Sequence, residues 1–264
     1  MRNEDALVQP HQIADRACAT APFGAGRMCC LCGPQVRRFL PYHGVWFGIP
    51  AVLADADVVG SDVANVECPV CGCHDREQHL FLYLQASGLL KSMVGARVLL
   101  FATETHPQRG IWRAMRLEYG LGALHPTRPD IQRIDLIQIG RPDSSLDFVI
   151  ANHVLEHARD DSRSLREMYR VLRPGGHAIL QTPFASLRGH KFEDPGITSD
   201  ARRSQAYGQE NHCRLYGADF ADFVTSIGFV GKTATHEQLL PHVGARCMGV
   251  NSQEPFMLFG KRGN

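Results

Sequence analysis

Net charge is the first thing this chain lacks. Its 28 lysines and arginines stand against 27 aspartates and glutamates, a formal +1 with histidine neutral. So balanced a chain has no overall field to draw it to nucleic acid or an acidic membrane surface. Long hydrophobic runs are missing too, so no stretch reads as a membrane span. The first 28 residues carry Glu4, Asp5 and Asp15 without an extended apolar core, unlike a secretory signal; residues 1–26 are expected to be a loosely ordered lead-in. Neither an internal repeat nor a low-complexity tract appears.

What is present is enough for a full core. With 264 residues, 44% of them hydrophobic, the chain can bury an α/β core and one small extra module. Nine cysteines at paired spacings argue for metal and a reducing compartment rather than for disulfides, and the expected location is the cytoplasm. Cys29-Cys30-Leu31-Cys32-Gly33 and Cys68-Pro69-Val70-Cys71-Gly72 each contain a Cys-x-x-Cys pair closed by glycine. Four thiolates from Cys29, Cys32, Cys68 and Cys71 suit tetrahedral Zn2+, and the glycines let backbone amides turn toward sulfur. Cys30 or Cys73 is a spare thiol that can replace one of the four, while Cys18, Cys213 and Cys247 read as small hydrophobes. Residues 27–75 therefore form an expected zinc-ribbon module. Its three arginines (Arg27, Arg37, Arg38) face five acids, too few bases to neutralise phosphates, so the module is a structural clip or a lid and not a nucleic-acid binder.

The most informative stretch runs from Leu146 to Phe184. Asp147-Phe148-Val149-Ile150-Ala151 reads as an interior parallel strand. Leu165, Met168, Tyr169, Val171 and Leu172 recur at helical spacing, with Arg163, Arg166, Glu167 and Arg170 on the other face. Pro174-Gly175-Gly176 stops that helix, and His177–Thr182 resumes the sheet. Such a unit places Asn152, His153, Glu156 and His157 beyond the carboxyl end of a strand, where ligands of open parallel sheets sit. Other expected elements are a helix over 74–93, strands at 96–101, 121–124 and 131–137, an irregular insertion at 185–214, a helix over 218–227, and strands at 229–233 and 255–261.

The segment LDFVIANHVLEH (146–157) followed by LRPGG (172–176) resembles the second half of a class I S-adenosylmethionine-dependent methyltransferase, a family in which FDxVxxxxVLEH ends the fourth strand and LRPGG precedes the fifth. The match is specific over roughly forty residues, and weaker family-like features extend over most of the chain beyond Cys29. The whole arrangement is similar to a bacterial group with two cysteine knuckles in front, carrying here CPVCGCHDREQHLFLY (68–83) and YGQENHCRLYG (207–217). The resemblance implies a doubly wound, Rossmann-like, mostly parallel sheet over residues 76–264, with the insertion 185–214 folded over the cleft.

The resemblance also implies S-adenosyl-L-methionine as cofactor. Glu104, in a loop without the Gly-x-Gly found in many relatives, would engage the methionyl ammonium. Asp135 and Leu136 would meet the adenine, Asn152 and His153 would line the cleft beneath the methionine tail, and Phe101 and Leu124 would complete the cofactor wall. One departure is serious: Ala123 stands where related chains carry the ribose-binding acid, and losing a charge-assisted pair costs about 1.5–3 kcal/mol. His125 is the nearest substitute.

Methyl transfer needs alignment, exclusion of water and sometimes a base. The candidate bases are His212, His153, His157 and Glu156, with His212 foremost. Arg214 and Tyr216 would orient a small polar acceptor; alternatively the same run pins the insertion to the sheet. His153-Val154-Leu155-Glu156-His157 also spells the H-x-x-E-H peptidase pattern, which needs both histidines on one mid-helix face. The expected function is methyl transfer to oxygen or nitrogen of a small polar or sugar-like metabolite. The alternatives are a noncatalytic binding protein on the same fold and an enzyme using the cofactor's aminobutyryl part.

Overall fold

The computed structural model describes residues 27–42, 49–101 and 118–263. The lead-in, the Glu104 loop and most of the segment between the first two sheet strands fall outside them. Twelve strands and eight helices are used below, numbered along the chain.

The main sheet is built from β4 (Arg97–Phe101), β5 (Glu118–Ala123), β6 (Gln132–Arg133), β7 (Leu146–Ala151), β8 (Leu172–Ile179), β11 (Val230–Ala234) and β12 (Phe256–Gly260). Its order is β6-β5-β4-β7-β8-β12-β11; the first five run parallel, and β12 lies antiparallel between β8 and β11. Alternate residues of β4 and β7 enter two different cores, as the period of two requires. Val98, Leu100, Phe148 and Ile150 pack beneath helix α2 (Asp75–Ala86), whereas Leu99, Phe101, Val149 and Ala151 pack against α4 (Asp161–Val171) and α6 (Phe220–Ser226). Both faces of the sheet are therefore covered, which is why these strands read as continuous apolar runs.

The strand–helix–strand expectation holds with one refinement. Asp160 caps α4 by accepting from Arg163 N at 2.9 Å, and Leu165, Met168 and Val171 are fully buried. Each such side chain contributes about 1.5–3 kcal/mol by leaving water. Pro174-Gly175-Gly176 forms a bulge inside β8 instead of a turn before it: Leu146 pairs with Leu172, then Phe148 with His177. The expected helix over 74–93 is broken at Gly88 into α2 and α3 (Leu89–Ser92), and the third strand shrinks to two exposed edge residues, Gln132 and Arg133.

Residues 27–75 do not behave as one module. β1 (Arg27–Met28) and β2 (Gln35–Val36) pair antiparallel, and Leu40 bridges Glu67, so the ribbon proper comprises the two ends of this stretch. Phe39 is buried there, and its ring covers Gly249, just beyond α8 (Ala245–Met248), so closely that a Cβ at Gly249 would meet it at 2.2 Å. The middle belongs elsewhere. α1 (Ala51–Asp55) and β3 (Val58–Val59) join the insertion, where β3 pairs with β9 (Phe184–Ala185) and β9 with β10 (Tyr216–Gly217). Leu53, Ala56, Ala185, Tyr207 and Leu215 form a separate core, with α5 (Asp200–Tyr207) alongside. This cap was invisible to periodicity because two-residue strands have none. A last short helix, α7 (His236–Leu239), follows β11.

Candidate active-site cleft

Strand order reverses between β4 and β7, and Phe101 pairs with Ala151 at the carboxyl end of both. Loops leaving this point diverge and open a crevice, the usual ligand position in such sheets. Asn152 follows at once and is fully buried; its Nδ2 donates to Arg76 O at 3.3 Å, and its Oδ1 has no hydrogen-bond partner among the described residues. His153 then adopts φ +54°, a left-handed turn that a histidine tolerates only with compensation, here its N–H donating to Gln181 O at 2.8 Å. The turn swings the chain into a short 3-10 segment, Leu155–His157, above the sheet edge.

A cavity of about 370 Å³ lies between this turn and the cap, lined among others by Leu53, Arg76, His153, Glu156, Tyr207 and His212. Glu156 is 2% exposed; its Oε2 accepts from Thr182 Oγ1 at 3.2 Å, while Oε1 has no hydrogen-bond partner among the described residues. Burial opposes its charge, yet His157, His153 and His212 nearby hold its pKa below the ordinary carboxylate value. His212 Nδ1 lies 2.9 Å from Tyr207 O, and His157 Nδ1 lies 3.3 Å from Asn211 O. A carbonyl only accepts, so Nδ1 is the donor in both rings and Nε2 takes no part in either bond. The two rings meet edge to face, 4.7 Å apart. Burial pushes the His212 imidazole below its usual pKa, leaving it neutral at pH 7.

His153 turns out differently from the expected base. Its Nε2 stands 2.7 Å from Glu254 Oε1, both groups being buried. Burial works against the imidazolium, but the Glu254 carboxylate overcomes it and raises the pKa above the ordinary value. With Nε2 engaged by a buried carboxylate rather than open to the cavity, the geometry does not favour His153 as the base. Glu254 also faces His79 (3.7 Å), whose Nε2 is 3.1 Å from His236 Nδ1. Sequence reading missed Glu254 altogether: it lies 101 residues from His153, in no recognisable motif. The H-x-x-E-H pattern does not assemble a peptidase site, because His153 turns to Glu254 while His157 turns to His212.

Arg214 and Tyr216 are corrected as well. Each is 1% exposed. The Arg214 guanidinium takes both Glu193 oxygens at 2.9 and 3.0 Å and donates to Leu155 O (3.0 Å) and Ala158 O. Tyr216 Oη lies 3.1 Å from Asp161 Oδ2 and 3.3 Å from Leu155 O. Their donors are used up holding the insertion to the 3-10 turn, so neither is free to orient a substrate; they fix the position of Glu156 and His157 instead.

The expected cofactor residues fall along the sheet's carboxyl edge. Phe101 is buried with its ring against Gly122 and Ile134, leaving only its backbone toward the edge. Leu124 is 45% exposed just past β5, and Leu136 is half-buried. Asp135 accepts from Ile137 N at 3.1 Å and pairs with Arg159 at 3.0 Å. Ala123, Leu124 and His125 put no carboxylate at the end of β5. Glu104 lies outside the described residues.

The four knuckle cysteines do converge. Their sulfurs lie within 4.8 Å of one another, with Cys29–Cys71 and Cys32–Cys68 both at 3.8 Å. A tetrahedron of thiolates about 2.3 Å from zinc has edges of about 3.8 Å, so the donor set fits that ion. Gly33 and Gly72 sit at φ +90° and +70°, and their amides donate back to Cys29 O and Cys68 O at 2.9 and 2.8 Å, closing each knuckle. Cys73 Sγ approaches Cys29 Sγ at 3.4 Å, while Cys30 Sγ turns to Gln78 O. Cys247, read as a small hydrophobe, is disulfide-bonded.

Comparison with known proteins places these features in context. A family model described as a methyltransferase domain matches residues 113–180, which take in all of β5 through β8. A probable S-adenosylmethionine-dependent methyltransferase of Mycolicibacterium smegmatis is 41% identical over 56 residues, 21% of this chain and 22% of its own length. An arsenite methyltransferase of Aquipseudomonas alcaligenes is 28% identical over 105 residues, 39% of this chain and 28% of its own. The chain thus spans less than a third of the length of these curated relatives. Among solved structures, a SAM-dependent methyltransferase from Archaeoglobus fulgidus superposes with a TM-score of 0.46 at 14% identity, over 72% of this chain and 95% of that one. No helix among the described residues is long and apolar enough to cross a membrane.

Proposed function

We propose that this chain is an S-adenosylmethionine-dependent methyltransferase acting on oxygen or nitrogen of a small polar or sugar-like acceptor. One observation carries the reading: the switch in strand order at β4 and β7 falls beside the segment that the methyltransferase-domain model matches. Bound S-adenosylmethionine supplies a methyl group on a sulfonium, an electrophile that asks little more than an aligned nucleophile. Asn152, with a buried acceptor still unpartnered among the described residues, would hold the methionine end together with Glu104. Asp135 and Leu136 would hold the adenine; the Asp135–Arg159 pair is solvent-exposed and costs little to open. His212 is the residue that takes the acceptor's proton, since it is neutral, buried and on the cavity wall. The four-thiol cluster is assigned structural zinc.

Ala123 leaves the ribose hydroxyls without an acid, which favours a second reading, a noncatalytic binding protein on this fold. Calorimetry with S-adenosylmethionine and S-adenosylhomocysteine separates the two, followed by mass analysis of candidate acceptors. Binding with a product heavier by one methyl supports the enzyme. Binding without product, or failure to bind either compound, counts against the enzyme and supports the second reading. His212→Ala is expected to lower turnover by about 10²–10⁴-fold with cofactor affinity unchanged; unaltered turnover removes His212 as base.

A further inference from the structure

We propose that Glu156, His157 and His212 form a second metal site, for a divalent first-row transition ion, on the wall of the cleft. The metal site stands on donor geometry; the substrate class drawn from it rests on the methyltransferase reading. One ligand atom from each residue lies within 4.8 Å of the other two, close enough for small side-chain shifts to bring all three onto a single ion. Two imidazoles and a carboxylate on one face are a donor set suited to Fe2+, Zn2+ or Mn2+, with remaining positions open to water or substrate oxygen.

Three further observations point the donors at an ion. The Glu156 carboxylate is nine-tenths buried or more, with Oε1 bare of hydrogen bonds among the described residues; its nearest counter-charge, His153 Nδ1, is 3.7 Å away. Oε2 is oriented by Thr182 Oγ1 at 3.2 Å. Both histidines anchor Nδ1–H on backbone carbonyls, Tyr207 O and Asn211 O, which fixes the tautomer that leaves Nε2 free to coordinate. The frame around them is stiff: Arg214 ties Leu155 and Ala158 to Glu193, and Cys213 N donates to Glu156 O at 2.8 Å. Tyr207 O and Asn211 O come from the insertion, so the cap and the sheet edge each supply part of the site.

An ion there would face the same 370 Å³ cavity that His212 lines. It would take an acceptor oxygen as a ligand and lower that oxygen's pKa; His212, then a ligand, would no longer serve as the base, so the bound ion would replace that part of the proposed function. The ligand class is therefore an oxygen acceptor, a hydroxyl or a pair of them, in preference to an amine.

The test titrates the intact, zinc-replete protein with Mn2+, which thiolates bind poorly, following free ion by electron paramagnetic resonance; Zn2+ calorimetry runs in parallel. One saturable ion per chain beyond the thiol-bound zinc is expected. His157→Gln, at a half-buried position where folding is least at risk, and Glu156→Gln are expected to weaken it by more than about 10–100-fold, the loss seen when even an outer partner of a ligand is removed. Zinc content of the four-thiol cluster should not change in either variant. The proposal is overturned if wild-type protein takes up no second ion, the result expected were Glu156 simply the counter-charge of His153, or if both variants bind as tightly as wild type. Cofactor calorimetry on the same samples tells failure of the metal site from failure of the methyltransferase reading.

Discussion

Four thiols crowd between two glycine-closed knuckles in the ribbon; a carboxylate and two imidazoles crowd above the carboxyl edge of the sheet. The first set is soft, built from two local motifs, and sits in its own small core with Val36 and Phe39. The second is harder, borrows its members from residues 156, 157 and 212, and is held by hydrogen bonds from a buried arginine and from its own imidazoles to backbone carbonyls. On the proposed reading the ribbon, small though docked on the main domain through Phe39 and Met28, draws much of its stability from metal on those thiols. The cleft cluster rests on a sheet already covered on both faces, so its members are free to serve a ligand. The same kind of convergence thus does opposite jobs, and removing one member should reveal which.

The largest effect is expected at the thiols. Cys32→Ser or Cys68→Ser should empty the ribbon of zinc and unfold it, because metal affinity on the order of 10 kcal/mol is there folding free energy. Zinc analysis and limited proteolysis near Phe39 read this out, and a ribbon that stays protected without metal would erase the contrast. Next comes Arg214→Met, which leaves the Leu155 and Ala158 carbonyls without their donor and frees the turn beneath Glu156, while Glu193 keeps Lys191 at 3.4 Å. A loss of about 1–3 kcal/mol in denaturant unfolding is expected, the cost of buried carbonyls left unsatisfied. A loss under about 1 kcal/mol would mean that the turn holds itself and that the cleft donors are not imposed by the frame.

The smallest effect sharpens the comparison from outside both clusters. Asp147, at the amino end of β7, accepts from Arg97 N at 2.8 Å and pairs with Arg173. Burial pushes its pKa up, but the Arg173 and Arg97 hydrogen bonds prevail and bring it down to about 2. A folded value below the unfolded one, about 3.9, gives stability that is complete above pH 4 and is lost as pH falls toward 2. Asp147→Asn should cost about 2 kcal/mol at pH 7 and almost nothing near pH 2. Equal losses at both pH values would show packing, not charge, to be the cause.

Legibility followed sequence distance. The knuckles, the buried strands and helix α4 were readable because each signal lies within a few residues: Cys-x-x-Cys-Gly, a run of β-formers, apolar residues at helical spacing. The edge strand β6 was overestimated because apolar Ile131, Ile134 and Ile137 suggested a longer strand, whereas their side chains are buried along a turning segment. Arg214 and Tyr216 looked like substrate contacts since polar residues in an insertion usually meet solvent. Only the fold reveals Glu193 and Asp161 opposite them. The electrostatics of His153 depend on Glu254, and nothing local to either residue announces the other. His212 was legible as a candidate, but its neighbours His157 and Glu156 were linked to it only by the cap.

The pairing of Val58 with Ala185 has a consequence for how the molecule comes together. Those two short strands cannot find each other until β4 through β8, which lie between them along the chain, have assembled, since closing so long a loop early brings no compensating contacts. The roof over the cavity is thus the last piece to arrive in folding and the first to detach on gentle heating, when amide hydrogens of α1 and α5 should exchange ahead of those in the strands below.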